Sequence, residues 1–593
     1  MIVSKWKGYQ EGLDITDIPA DYFAYPSKNV MIYKGKAYKR AGTEYFGAED
    51  DADNKIHGEY TWKDAQIGEI AVRTEGQKML AWLEPYKTGA GWVEIFDAFD
   101  SAVQRVRFAT FIDANDSTVH TRLIFVDGSE DVYQWNGAVG VVASVASDTI
   151  TIAGSKTCEA LGFDDGSGTP QTVIINGTEY TYDNDPTAQD IELTSTPSGV
   201  SAGDLVIAKP TVSVTTLNTF KKDHVFSFKN HVVLGNLESG QLYFSHISDY
   251  PLNFTVPAPA SRTAATAFFV NLDGNVTVTT IRKDKMWVST EDDWFKITKL
   301  DSVNSYDLYV EVEKVETTER NGALPFCVGS YKGDTIFVTQ DKTLQMITDN
   351  DIVQEDAVKL ISDEIALLLK RLDMTDARLV VHDRYFYIIC PVSATTLMYD
   401  TVENFWQPPQ EIGMGLLSII GGLLIGHSNA RNASFYLFKG RQDLGIDFEA
   451  VFALGYVSMG DEFVYKQFSK TGIAGRVTES AEITWETEYE VEGERAKLTR
   501  KFKGTDMKLF TGNTLTPWGT VPYGTVPWAG QELPDDSDVK RFFFFDNGTN
   551  FPFFEYRPII TVSGDNAAFQ LTGYMVDERA VSRTVGKDHY IKT

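Results

Sequence analysis

Seven times the chain repeats one pattern: a short run of apolar and aromatic residues, a polar turn, and a second such run. It occurs at Glu69–Leu83, Leu123–Trp135, Val232–Phe244, Lys285–Ile297, Thr335–Ile347, Tyr385–Tyr399 and Leu423–Phe438. β-Branched and aromatic residues around turn formers predict a β-hairpin at each position. From Val232 onward the pattern returns roughly every 40–50 residues, the period of blades and solenoids. A hairpin cannot bury both of its faces alone, so neighbours must stack, and blades around an axis meet that need. The pattern predicts a mainly β chain built on a β-propeller of six to eight blades, with seven the best match.

Three stretches depart from this rhythm. From Val139 to about Ala208 basic residues become scarce and Thr, Ser, Gly and Asp dominate, with short alternating strands and an Asn176-Gly177 hairpin turn. Residues 139–211 are read as a small all-β, barrel-like domain inserted between blades, since insertion at a loop tip leaves a parent core intact. In the segment 355–372, Val358, Ile361, Ile365, Leu368 and Leu372 fall at spacings of three or four, with Lys370-Arg371 at the end, which predicts one amphipathic helix. Its stripe packs either on the nearest core or on a neighbouring subunit. Beyond about residue 459 the repeat fades into strands such as Glu482–Val491, giving a C-terminal β-region (459–593) that closes the propeller or forms a platform. On this division residues 1–138 hold the N-terminal segment and first blades, and 212–458 the remaining blades.

Within the C-terminal region lies Thr516–Gly530, where Trp518, Tyr523 and Trp528 stand five apart between Pro and Gly residues. Such a backbone cannot form a regular ladder, so ring burial must hold it. The loop either tucks against its own domain or docks on an adjacent chain, which makes these three aromatics candidate inter-subunit contacts.

Composition sharpens this picture by exclusion. With 54 basic and 83 acidic residues the formal charge is −29 over 593 residues, and the acids are dispersed. That disfavours tight nucleic-acid binding, which needs clustered Lys and Arg. It suits solubility, or a surface past which a polyanion must move without sticking. Cys158, Cys327 and Cys390 are odd in number and widely spaced, and are expected to be reduced core residues. The N-terminus lacks an apolar signal-peptide core, and the longest apolar stretch, Met414–Gly426, is too short to span a bilayer. No insertion into a membrane by the chain itself is expected.

Candidate chemistry is sparse. The eight histidines form no metal-ligand spacing, and nucleophile-elbow, Walker and dinucleotide fingerprints are absent. Propellers can host glycosidases with two carboxylates around the axis. However, Ser289–Trp294, the nearest approach to the S-x-D-x-G-x-x-W turn of sialidase-like blades, lacks both the Asp and the Gly. No catalytic residue, cofactor or metal is expected.

The N-terminal stretch Tyr25–Gly47 carries an N-x-x-x-x-x-G-x-x-x-x-R-x-G phrase at Asn29, Gly35, Arg40 and Gly42. Leu242–Pro259, the segment from the helix to the second Pro of FWQPP, and PWGTVPYGTVPW near the end follow in order. Together these resemble the bacteriophage tail nozzle family, also called tail tubular protein B-like or packaged-DNA stabilisation proteins. Ala41 stands where that family has proline. The resemblance implies a non-enzymatic structural virion protein in which Asn29, Gly35, Arg40 and Gly42 are structural. It implies a homohexameric ring in the tail, with a portal or adaptor protein above and fibre or tip proteins beside or below. Double-stranded viral DNA would pass through without tight binding, the ring retaining the genome until ejection, and assembly would occur in the cytoplasm of the host bacterium. The alternative is a tail receptor-binding or polysaccharide-degrading propeller.

Overall fold

A computed structural model of the chain describes residues 2–11, 18–47, 55–64, 68–99, 105–112, 121–164, 170–183, 186, 188–213, 217, 221–247, 252–258, 261, 263, 265–299, 310–315, 321–349, 356–430, 433–456, 466–491, 494–506, 539–547 and 555–580. The chain is mainly β, and its centre is a seven-bladed propeller. Each predicted hairpin supplies the second and third strands of one blade. Blade 1, for example, orders Ile56–Asp64, Gly68–Glu75, Lys78–Trp82 and Trp92–Phe96 from the axis outward.

The innermost strands of the other six blades are Arg107–Ile112, His224–Phe228, Val276–Arg282, Ala323–Tyr331, Arg378–His382 and Met414–Ile420. Successive blades touch around a complete circle: the last innermost strand lies against Ile56–Asp64 of blade 1 and against Tyr385–Cys390 of blade 6. The seam is sealed by the N-terminus. Thr43–Tyr45 adds the outermost strand of blade 7, antiparallel to Ser434–Leu437. Closure therefore joins residues almost 400 positions apart, a long loop to close and a strong restraint once closed.

The inserted domain lies within blade 2, not between blades as expected. The chain leaves that blade after its third strand, Val132–Trp135, and returns to pair with it through Thr211–Ser213. In between, six strands curve into a barrel around Val142, Ile150, Val173, Tyr182 and Val206, closed by the bridge between Tyr182 and Leu193. Its Asn176-Gly177 turn has both residues at positive φ, the geometry of a type I′ hairpin. Arg122 grips Asp164 through two hydrogen bonds of 3.1 Å, and Trp135 donates to the Ala208 carbonyl at 2.7 Å, so blade and barrel are tied at both crossings.

The N- and C-terminal segments build a two-sheet platform. One sheet orders Val30–Tyr33, Lys36–Lys39, Phe569–Ala580, Lys466–Thr478 and Val539–Asn547, with Ile2–Val3 beside Phe569–Ala580; the other orders Ala450–Ala453, Glu555–Ser563, Glu482–Val491 and Glu494–Lys503. Ile2–Val3, Val30–Tyr33 and Lys36–Lys39 thus belong with the C-terminal strands and not with the first blades. The platform core, including Phe452, Ile473, Trp485 and Phe569, runs without a break into Leu344 and Ile388 of blades 5 and 6.

The helix is shorter than its periodicity predicts. Val358 lies in Asp356–Leu360, the outermost strand of blade 5, and helical turns begin only at Asp363 and end at Arg371. Alternation in that strand happens to continue the helical spacing, which is why one period covered both. Ile365, Leu368 and Leu369 pack into the chain's own core. The loop with Trp518, Tyr523 and Trp528 lies outside the described residues.

All three cysteines are buried and free. Burial pushes the Cys158 thiol up to about 11, and those of Cys327 and Cys390 to about 12. Thiolate is the reactive form. No thiol is expected to react with Ellman's reagent in the folded protein, and all three after denaturation. One fast-reacting thiol in the native state would contradict this packing.

Candidate functional site: the axial arginine cluster and the N-terminal junction

The innermost strands converge on the propeller axis, and five blades send polar or aromatic groups to one end of it. Blade 1 contributes Glu59, blade 2 Arg107 with Arg105 just before its strand, blade 3 His224, blade 5 Phe326, and blade 6 Arg378 with Asp376 just before it. Phe326 is held at φ +66°, a conformation that bulky residues rarely adopt, inside a register irregularity between Ala323 and Val328. The distortion turns its ring to the arginines. The guanidinium carbons of Arg105 and Arg107 stand 4.1 and 2.9 Å from the ring centroid, and His224 lies 5.5 Å away, ring to ring.

Electrostatics in this cluster are those of crowded like charges. Arg105 forms an ion pair with Asp376. Burial, then Arg378 and Arg105 close by, pushes Arg107 well below its ordinary range. Burial and Arg105 bring Arg378 down to about 9, against the pull of Glu59. Burial lifts the Glu59 carboxyl to about 7 even though Arg378 and Arg107 favour its charged form. Burial and Arg107 drive His224 down to about 3, so its imidazole is neutral. The Nε and Nη2 of Arg107 and the Nε2 of His224 are buried with no hydrogen-bond partner. A cavity of about 180 Å³ lies nearby, lined in part by Lys55, Arg105, Asp376, Arg378 and Asn429 but not by Arg107 or His224.

A second constellation gathers the four residues of the N-terminal phrase. Arg40, whose side chain is fully buried, makes a two-pronged contact with Asp443 (2.8 and 2.5 Å). It also donates to Asn29 Oδ1 (3.1 Å) and to the carbonyls of Ala41 and Glu411 (both 3.0 Å), while Phe448 covers it at 3.9 Å. Asn29, at positive φ, spends its amide on the Glu449 carbonyl (2.7 Å) and accepts from the Glu411 N–H (2.8 Å). Gly35 completes the tight turn between the two platform strands of this hairpin, with Lys34 and Gly35 both at positive φ. At Gly42 a Cβ would sit 2.0 Å from the Gln442 carbonyl oxygen. Asn29, Arg40 and Gly42 lock platform to propeller at the point where the chain enters blade 7, while Gly35 stays within the platform. They do not present chemistry to solvent.

The sequence singled out these four residues as structural but not the junction three of them form, and it missed the axial cluster. Its only linear trace is Arg105-x-Arg107 at the start of an apolar strand, and Arg378 at the start of another. Among the described residues no group of His, Cys, Asp and Glu could hold a metal, and no helix is long and apolar enough to cross a membrane. Ser289–Trp294 is a blade turn: the Ser289 hydroxyl accepts from the Ala323 N–H at 2.8 Å, and Asp293 receives Lys314 at 2.5 Å.

No protein-family model and no curated protein matches the chain. Solved structures similar to it include Kluyveromyces lactis Hsv2, at 10% identity and a TM-score of 0.23 over 60% of this chain and 97% of that one. Saccharomyces cerevisiae Sqt1 aligns at 9% identity and a TM-score of 0.31, over 69% of this chain and 98% of that one. At those scores the likeness adds nothing to the architecture that the seven sheets themselves define.

Proposed function

We propose that the chain is a non-enzymatic structural protein of a bacteriophage tail, a nozzle-type subunit of which six copies ring the DNA channel. In that role it retains the packaged genome, carries further tail components, and lets DNA pass on ejection, with a portal or adaptor protein as its upper partner. The observation that carries the reading is the phrase Asn29, Gly35, Arg40 and Gly42, which resembles the nozzle family in sequence. Asn29, Arg40 and Gly42 serve a single joint between platform and propeller, and Gly35 makes the turn of the platform hairpin that carries Asn29 and Arg40 at its base. A motif with that job is expected to persist in a rigid ring subunit. The overall charge of −29 suits a wall past which DNA slides, because like charges repel and salt screens them within about 10 Å.

Image reconstruction of the chain assembled with its adaptor, or of virions that carry it, tests the proposal: six-fold symmetry around an open channel is expected. Trimers, or release of sugars from host polysaccharide, would replace it with the receptor-binding or depolymerase alternative. In the same assay Trp518→Ala combined with Trp528→Ala decides what the aromatic–proline loop does: weakened ring formation with a nearly unchanged melting temperature of the isolated chain would make it an assembly arm. A clear fall in that melting temperature would place the loop on its own domain.

A further inference from the structure

We infer that the platform pairs edge to edge with a second copy of the chain, Glu494–Lys503 of one copy lying beside Val539–Asn547 of the next. That contact closes the ring proposed above, on which it rests. Lys28 bridges antiparallel to Val451, so the strand order of the two platform sheets is continuous from Val539–Asn547 at one end to Glu494–Lys503 at the other. Each of these two strands has one partner among the described residues, Lys466–Thr478 and Glu482–Val491 respectively. Each therefore presents a row of main-chain donors and acceptors on its far side, over nine and ten residues. Such edges invite another strand unless they are kept short or polar. Phe542–Phe545 are four successive apolar positions, so both faces of that edge strand are apolar, unlike those of an edge kept in water. Every neighbouring pair along the order is antiparallel, which leaves the two edges running in the same direction. Rotation about a ring axis preserves direction along that axis, so successive copies meet with these edges parallel. In that alignment Lys501 and Lys503 fall at the Asp546 end, whereas the antiparallel alternative would crowd them against Lys540 and Arg541. One edge of each copy meets the other edge of the next, the head-to-tail contact from which a closed ring is built.

Cross-linking of the full chain assembled with its adaptor tests it. Thr499 and Phe543 lie near the middles of the two edges, and the native cysteines are buried. A mixture of Thr499→Cys chains with Phe543→Cys chains is expected to give disulfide-linked dimers on mild oxidation, and neither chain alone to give any. Two prolines supply a second measurement. Consecutive residues of a strand send their N–H groups to opposite sides. Of Thr499→Pro and Arg500→Pro, one therefore removes a bond to Glu482–Val491 and lowers the melting temperature, and the other removes only an outward donor. The variant that keeps the wild-type melting temperature is expected to need at least about tenfold more protein to assemble, the loss of roughly one hydrogen bond at each contact. Rings that form equally well in both proline variants, with no disulfide in the mixture, overturn this contact and leave the ring standing. Disulfides in either cysteine variant alone would show like edges meeting and also overturn it. Failure of the wild-type chain to form a ring overturns both.

Discussion

Replacing Arg40 by methionine is expected to lower the free energy of unfolding by about 3–5 kcal/mol, the usual cost of removing one partner from a buried ion pair. The side chain is fully buried and donates to Asp443, Asn29 and two main-chain carbonyls at 3.0 Å, so its loss strands several acceptors at once. Methionine keeps much of the volume and the contact with Phe448, which separates the polar loss from a packing defect. Lysine restores the charge but not the planar fork, so Arg40→Lys is expected to recover only a minor part. Adding Asp443→Asn to Arg40→Met is expected to return stability, because it removes the stranded carboxylate. Urea unfolding midpoints of the four chains measure each step. A midpoint for Arg40→Met within about 1 kcal/mol of wild type would show that the junction does not hold platform to propeller.

The consequences extend beyond the junction because of where it sits. Arg40 precedes Thr43–Tyr45, the strand that closes the ring on Ser434–Leu437. Next to that strand pair lies a buried chain of hydrogen bonds across the seam: Arg73 of blade 1 donates to the Ser434 hydroxyl at 2.8 Å, which lies 2.9 Å from His427 Nδ1, whose Nε2 lies 2.7 Å from the Ser418 hydroxyl. Arg73 also pairs with Glu75 at 3.1 Å, both side chains being almost wholly buried. Loosening the N-terminal strand would expose this network to water, so damage at Arg40 is expected to propagate to blade closure and not stay within the platform.

What could be read from the sequence follows the range of the interactions. Each hairpin is local, and its alternation exists because one blade face packs on the next, so strands such as Leu123–Val126 and Tyr385–Cys390 announced themselves. The barrel announced itself through Asn176-Gly177 and a change of composition. The partner of Thr43–Tyr45 could not be read, because nothing within three residues of so short a strand specifies Ser434–Leu437. The same holds for the return of the chain to blade 2 at Thr211–Ser213 and for the pairing of Ala37 with Leu571. The axial arginines were invisible for a related reason: an arginine at a strand start reads as solvated until seven innermost strands are known to converge there. The four-residue phrase was legible as a resemblance, but its work on Asp443, Glu411 and Glu449 needed the fold.

Stability is expected to fall steeply with acid well before the carboxylates of ordinary range titrate, because of three buried histidines. His224 and His427 are brought down to about 3 and His231 to about 4, in each case chiefly by burial, with Arg107 beside His224 and Arg73 beside His427 adding repulsion. The Ser245 carbonyl, 2.5 Å from His231 Nδ1, favours the protonated ring but does not outweigh burial. Each group binds a proton more weakly folded than unfolded, so its stabilisation is complete above the unfolded pKa of about 6.5 and is lost as pH falls below it. By pH 5 that amounts to roughly 2 kcal/mol per histidine, about 6 kcal/mol for the three. Glu59 works the other way: its folded pKa of about 7 lies above the unfolded value, so acid relieves a penalty and returns roughly 2 kcal/mol over the same interval.

The net loss from pH 7 to pH 5 is therefore about 3–4 kcal/mol, a large share of a typical folding free energy. Urea midpoints at the two pH values check it, and His427→Gln separates this cause from general acid effects. Glutamine cannot take the proton and can still meet the Ser418 and Ser434 hydroxyls, so its chain is expected to be less stable at pH 7 but to lose only about half as much on acidification. Equal pH slopes in wild type and His427→Gln would mean that the buried imidazole is not what acid attacks.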